Sequence, residues 1–151
     1  MGTNWNWATE GLEVDKVFEF PAGIYGFPDH KRFLVVDVPG AGDVFKQLVS
    51  ADDPNVGFTL VFPFALFPQY NPDIPEEDLA AVGAESPDQV LLYAIANVPQ
   101  DFRAATANLR APLLFNPFTR KGRQVILADD RYGIRTPLFK GAGQIPAEEA
   151  P

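Results

Sequence analysis

The sequence predicts a mainly β fold, a small single-domain antiparallel barrel-like or roll structure with one short helix near residues 74–82. Three observations carry that expectation. The chain holds 13 Phe, 15 Pro and 12 Gly among its 151 residues, a mixture that favours short strands and frequent turns over long helices. Its apolar residues alternate with polar ones, or run in short β-branched stretches, between Pro, Gly, Asn and Asp, which is the pattern of strands. Helical segments do not alternate with these strands, so a parallel α/β sheet is excluded. Short strands in a chain of this length leave a sandwich, a roll or a barrel as ways to hide strand edges, and the barrel is the preferred form. Residues 1–151 read as one domain with a core from about 12 to 140.

The elements follow in order. Residues 1–11 are a polar lead-in around Trp5 and Trp7, to which the sequence alone assigns no role. Val14, Phe18 and Phe20 lie among Glu13, Lys16 and Glu19, a near-alternation that stops at Pro21. RFLVVDV, residues 32–38, is continuous, β-branched and bounded by PGAG, the mark of a well-buried strand ending in a turn. VFKQLVS and VGFTLVF come next, separated by ADDPN, a connection of hairpin length. The helix interrupts there. Asp73 is a candidate N-cap with Glu76 three residues on, and Pro75 suits the first turn. Glu76, Glu77 and Asp78 suit the positive end of the helix dipole, and Gly83 can close the C-terminus. Leu79 and Val82 are expected to face the core, since so short a helix depends on tertiary packing. QVLLYAIANV, ATANL, PLLFN, RQVILA and YGIRTPLF complete the strands, the last two joined across DDR as a tight hairpin. Pro112, Pro117 and Pro137 are expected at strand starts, edges or bends, because a proline in a central strand forfeits a ladder hydrogen bond. Residues 141–151, GAGQIPAEEAP, have the composition of a frayed tail.

Composition narrows the chemistry. Zero Cys and a single His exclude disulfide scaffolds, thiolate metal sites and cysteine nucleophiles, and leave only oxygen ligands for a metal. No cofactor or metal is expected. His30, in FPDHKR, reads as a solvated side chain, because no serine sits in a glycine elbow that would make it a catalytic base. The adjacent pairs Asp52–Asp53 and Asp129–Asp130 read as turn residues, since neighbours on a strand point to opposite faces. The glycines of GIYG and GAG do not lead a strand into a helix, so no phosphate loop is indicated. RKGR, residues 120–123, reads as a hairpin tip.

A net charge of −8 works against sequence-independent binding to a phosphate backbone, so nucleic acid is not an expected direct partner. Residues 102–140 hold eight bases against two acids, a balance of +6, and the remainder carries −14. Such a split points to a strongly acidic face. No apolar run approaches the roughly 18–20 residues that span a bilayer, and the start lacks the pattern of a secretory signal. The cytoplasm is the expected compartment.

The most unusual segment is FPFALFPQYNPDIPEEDL. It places Phe62, Phe64, Leu66, Phe67 and Tyr70 among Pro63, Pro68 and Pro72, ahead of an acidic helix. Prolines hinder a regular strand, which leaves two readings of equal weight. One is an exposed aromatic cluster with an acidic rim, a protein-binding surface. The other is a loop lid folded over an open end of the barrel.

Three strings, in order, resemble the flagellar assembly factor FliW family. FEFPAGIYGFPDHKRFLVV matches that family's opening signature at Phe20, Pro21, Gly23, Gly26, Phe27 and Phe33. FKQLVSADDPNVGF matches the second block at Leu48, Ser50, Asp53, Pro54 and Phe58. TANLRAPLLFNPFTRKGRQVIL is the most specific, with Asn108, Leu109, Ala111, Pro112, Asn116, Gly122 and Gln124. The resemblance runs from about Phe18 to Phe139. It departs at Val49, where family members commonly carry glutamine before the serine.

The resemblance implies a non-enzymatic, mainly antiparallel barrel-like protein of the cytoplasm that needs no cofactor. It also implies two partners, flagellin and the carbon storage regulator, an RNA-binding translational repressor. The two would exchange on this chain so that flagellin export feeds back on its translation. Alternatives of other classes are a β-barrel hydrolase or small-ligand-binding protein with a carboxylate site, and a chaperone-like module that binds flagellin only. For partner binding the expected residues are Phe67, Tyr70, Glu76, Glu77 and Asp78. The signature residues Gly23, Gly26, Phe27, Ser50, Asp53, Pro54, Asn108, Leu109, Pro112, Asn116, Gly122 and Gln124 are expected to serve the scaffold, holding turns and strand ends.

Overall fold

The structure, a computed structural model, describes residues 16–139. Trp5, Trp7 and the segment 141–151 lie outside the described residues. The strands are β1 (Val17–Glu19), β2 (Arg32–Asp37), β3 (Phe45–Ser50), β4 (Gly57–Val61), β5 (Leu91–Asn97), β6 (Thr106–Ala107), β7 (Leu113–Asn116), β8 (Lys121–Gln124) and β9 (Thr136–Pro137). Seven of them close a barrel in the order β4-β3-β2-β1-β8-β7-β5, with β5 pairing back to β4. Every pairing is antiparallel except β1 with β8, where Glu19 lies beside Lys121. Closure removes the exposed edges that an open sheet of short strands would present. β6 follows β7 along the same edge of β5, and β9 pairs with β6.

The period-2 pattern of the strands sorts side chains into two cores. Phe18, Phe33, Val35, Leu48, Leu60, Leu91, Tyr93, Leu113 and Phe115 point into the barrel, joined by Phe20 and Ile24 from the first loop. The rings meet edge to face, Phe18 and Phe20 on Phe115 and Phe20 on Phe33, with centroids 5.1–5.5 Å apart. Each fully buried apolar side chain of this size contributes roughly 1.5–3 kcal/mol, so the filled lumen is a major source of stability. Its ends are polar. On β3, Lys46 and Ser50 flank Leu48 on the same buried face; Lys46 Nζ meets Asp37 and Asp43 at 3.1 and 3.3 Å, and Ser50 Oγ meets His30 Nδ1 at 2.8 Å.

The alternate residues of the strands, Val61, Leu92, Ala94, Ala96 and Leu114, face outward into a second core. What covers them is the segment expected to be either surface or lid. α1 (Pro63–Leu66) begins at Pro63, which suits a first helical turn because its missing N–H is not needed there. That turn directs Phe67 and Tyr70 inward, leaving them 4 % and 5 % exposed. The expected exposure of Phe67 and Tyr70 is therefore corrected in favour of the lid. Tyr70 Oη donates to the Leu109 carbonyl at 2.7 Å and its ring stands edge-on to Tyr132, centroids 4.9 Å apart. α2 (Glu76–Ala81) follows, burying Leu79 and then Val82 against the barrel.

Several expected details change. α1 adds a second helix, and short 3-10 turns occur at Pro87–Gln89 and Phe102–Ala104. Asp73 does not cap α2: Pro75 holds the N-cap position with no side-chain bond, its fixed φ of −60° already suiting entry into the helix. Gly83, just past the C-cap, has the expected left-handed backbone, φ +78°. RFLVVDV is buried on one face only, Leu34 and Val36 being half-buried. RQVILA and YGIRTPLF do not form a hairpin. β8 starts at Lys121 and pairs with β7 and β1, whereas β9 is two residues long and pairs with β6. Val125 and Leu127 keep the alternation of a strand because both side chains are buried while their N–H groups bond the Pro112 and Arg110 carbonyls.

Gly122 has a direct role in closure. It lies on the inner face of β8 opposite Phe115, and a Cβ there would stand 2.3 Å from Phe20 Cζ. Gly122→Ala should therefore cost about 1–3 kcal/mol by overpacking, and Phe20→Leu in the same chain should recover part of it. Urea unfolding of the two single variants and the double variant checks this. Tyr70 supplies a second test. Burial first, and neighbouring Tyr132 second, push its hydroxyl well above the ordinary tyrosine range, so the fold favours the neutral phenol. A raised folded-state pKa gives stability that is full below the unfolded value of about 10 and is lost as pH rises through the folded one. Tyr70→Phe should cost about 1 kcal/mol at neutral pH through the lost hydrogen bond and flatten the decline in thermal midpoint above about pH 10.

Candidate protein-binding surface

The barrel interior has no room for a substrate, since its lumen is occupied by phenylalanine, leucine and valine side chains. This weighs against the hydrolase or small-ligand alternative. Among the described residues, no group of three or more His, Asp or Glu side chains could hold a metal ion. His30 is half-buried rather than solvated. Ser50 Oγ also accepts from the N–H groups of Asp52 and Asp53, at 3.1 and 3.2 Å. With His30 Nδ1 at its other side, this hydroxyl ties the turn after β3 to the first loop.

The signature side chains bond backbone in the same way. Asn108 Oδ1 accepts from Arg110 and Ala111 N–H, and Asp53 Oδ1 from Asn55 N–H. Gln124 links Tyr25 N–H to the Ala111 carbonyl, holding the first loop against the end of β8. Asn116, 2 % exposed, accepts from Phe118 and Thr119 N–H and donates to the Val82 carbonyl. Gly23 has φ +73°, and a Cβ there would stand 2.8 Å from Pro28 Cα; Gly26 has φ +88°. Phe27 stands edge-on to Phe58, 5.3 Å between centroids, and Pro54 lies in the β3–β4 turn. Leu109 and Pro112 are buried. Val49 is half-buried on the outer face of β3, opposite Leu34 and Gly57.

The lid divides the expected partner-binding residues. Phe67 and Tyr70 belong to the outer core. Asp78, 8 % exposed, pairs with Arg123 Nε at 2.6 Å and fastens α2 to β8. Glu76 and Glu77 are exposed. With Asp73, Glu85 and Asp88 they place five exposed carboxylates in a stretch, residues 73–88, that contains no base. Asp88 accepts from Ser86 Oγ, and none of the five is in an ion pair among the described residues. Some acids elsewhere are neutralised locally: Arg103 holds Asp101, and Arg131 holds Asp129, below the usual carboxylate range by direct hydrogen bonding.

A second feature was not visible in sequence. An apolar groove of about 300 Å³ runs between the outer face of β3–β4 and the β5–β6 connection, walled by Val38, Phe45, Val98, Phe102, Leu138 and Phe139. Its polar floor groups, Gln47 and Thr59, bond each other at 3.1 Å. No ionisable side chain lines it, so it offers contact and not acid–base chemistry. The individual residues carry ordinary strand and turn signals, and only their assembly from five separate segments makes the groove.

Comparison with known proteins agrees with this architecture. The sequence profile described as FliW protein matches residues 7–138. A flagellar assembly factor FliW of Symbiobacterium thermophilum is 82% identical over 136 residues, covering 90% of this chain and 99% of that one. That of Syntrophomonas wolfei is 41% identical, covering 85% and 82%. A crystal structure of the flagellar assembly factor FliW superposes with a TM-score of 0.77 at 34% identity, covering 85% of this chain and 89% of that one. With a solid barrel, a packed lid and these relatives, the chain belongs to the FliW family of flagellar assembly factors.

Proposed function

We propose that this chain works by protein–protein contact in the cytoplasm, binding flagellin and antagonising the carbon storage regulator so that flagellin translation is coupled to export. The observation that carries the regulator half is the lid's set of five exposed, unpaired carboxylates, Glu76 and Glu77 among them. A basic RNA-binding protein is drawn to such a surface, which raises its association rate and selects against acidic competitors. Once bound, the acidic lid repels RNA phosphates near the regulator without occupying the RNA site itself. Asp78 contributes indirectly, through the ion pair with Arg123 that fixes the helix carrying the acids.

Calorimetric titration with flagellin and with the regulator from the same bacterium tests the reading; binding to neither overturns it. Glu76→Lys with Glu77→Lys should weaken the regulator about tenfold or more, by reversing two charges at the contact, while leaving the thermal midpoint and flagellin affinity in place. Added salt should weaken the regulator more than flagellin, because exposed charges are screened over about a Debye length. Unchanged regulator affinity in the double variant would place that interface elsewhere.

A further inference from the structure

The turn between β7 and β8, Pro117–Arg120, displays a large aromatic side chain on an unusually constrained backbone. Phe118 is 83 % exposed. The buried Asn116 beneath it accepts from Phe118 and Thr119 N–H at 2.9 and 3.4 Å and donates to the Val82 carbonyl at 2.8 Å. Thr119 Oγ1 donates to the same carbonyl at 2.8 Å and accepts from Lys121 N–H. Arg120 closes the turn with its N–H on the Asn116 carbonyl, in a left-handed conformation, φ +60°, that costs a non-glycine residue about 1–2 kcal/mol. Gly83 completes the seat: a Cβ there would stand 2.9 Å from Thr119 Cγ2. Backbone strain and a buried polar network thus hold an apolar ring out in water, where it stabilises nothing in the fold.

A ring carried on a backbone already fixed in place leaves only its own side-chain rotamers to be ordered when a partner covers it, which suits a binding anchor. Arg120 and Lys121 flank it, and neither is in an ion pair among the described residues. The complementary surface is therefore an apolar pocket edged with carboxylates. We propose that the Asn116–Lys121 turn is a rigid docking knob that inserts Phe118 into such a pocket on a partner protein. Resting on the two-partner reading above, its cationic flanks exclude the basic regulator and assign the knob to flagellin. The knob is built against the C-terminal end of α2, through Val82 and Gly83, beside the acidic lid. Two proteins seated on these neighbouring surfaces would compete for space, which accounts for exchange.

Phe118→Ala, Phe118→Leu and Lys121→Glu, each titrated with purified flagellin and purified regulator, test the proposal. Phe118→Ala should lose about tenfold or more in flagellin affinity, Phe118→Leu should retain most of it, and Lys121→Glu should weaken it less than Phe118→Ala. Regulator affinity and thermal midpoint should stay at the wild-type values. If the wild-type chain binds flagellin and Phe118→Ala binds equally well, the knob is overturned while the two-partner reading stands. If the wild-type chain does not bind flagellin, both fall. A single-stranded RNA oligonucleotide or self-association in sedimentation that responds to Phe118→Ala, with flagellin affinity unaltered, would assign the turn to another occupant and also overturn the proposal.

Discussion

Strand β5 has no polar face. Leu91 and Tyr93 point into the barrel while Leu92, Ala94 and Ala96 point outward, and all five are buried. A barrel by itself buries only its inner face, so the outward half of β5 and its neighbours β4 and β7 requires a second layer. That requirement explains the lid. α1, α2 and the segment joining them to β4 and β5 supply Phe67, Tyr70, Ile74, Leu79 and Val82, and β6 and β9 extend the sheet over the remaining outer surface. Glu76 and Glu77 of α2 are presented to solvent because the opposite side of the helix is committed to this core.

Much of the barrel is readable from the chain. The existence of β2 and β3, the turn residues between them, the short helix and the glycine that ends it all follow from local rules. Other features depend on contacts that local sequence does not encode. The fate of Phe67 and Tyr70 turns on Leu109, 39 residues beyond Tyr70, which accepts its hydroxyl. Asp78 sits in a row of acids that reads as one solvated face, yet it is withdrawn by Arg123, 45 residues away. Val125 and Leu127 show how a correct period can mislead about pairing: burial repeats every second residue even where the hydrogen bonds go to a loop instead of a strand. The exposure of Phe118 is not legible locally, because an aromatic within a β pattern is ordinarily core; Asn116 and Gly122 bracketing it are the available turn signal.

The signature residues acquire a common explanation. Asn108, Asn116 and Gln124 tie backbone from separate segments together, Gly122 admits the Phe20 ring, and Ser50 fastens the mouth of the barrel to His30. They build the platform, and the groups assigned above to the proposed partners are ones the platform displays, carboxylates on α2 and an aromatic knob beside them. A chain with no cysteine and one histidine is poorly equipped for covalent or acid–base chemistry and well suited to contact. Its charge of −8 is no longer only an exclusion of nucleic acid, since part of it is concentrated in one lid segment next to a locally cationic turn.

The two seats proposed here are adjacent, which implies that the proposed partners cannot both be held. The most direct measurement is a competition experiment in which the chain is saturated with the regulator and flagellin is titrated in, with complex composition read by sedimentation or mass photometry. The account predicts that flagellin displaces the regulator and that no ternary species accumulates. A stable complex containing the chain, flagellin and the regulator together, formed with each partner's affinity undiminished by the other, would contradict it.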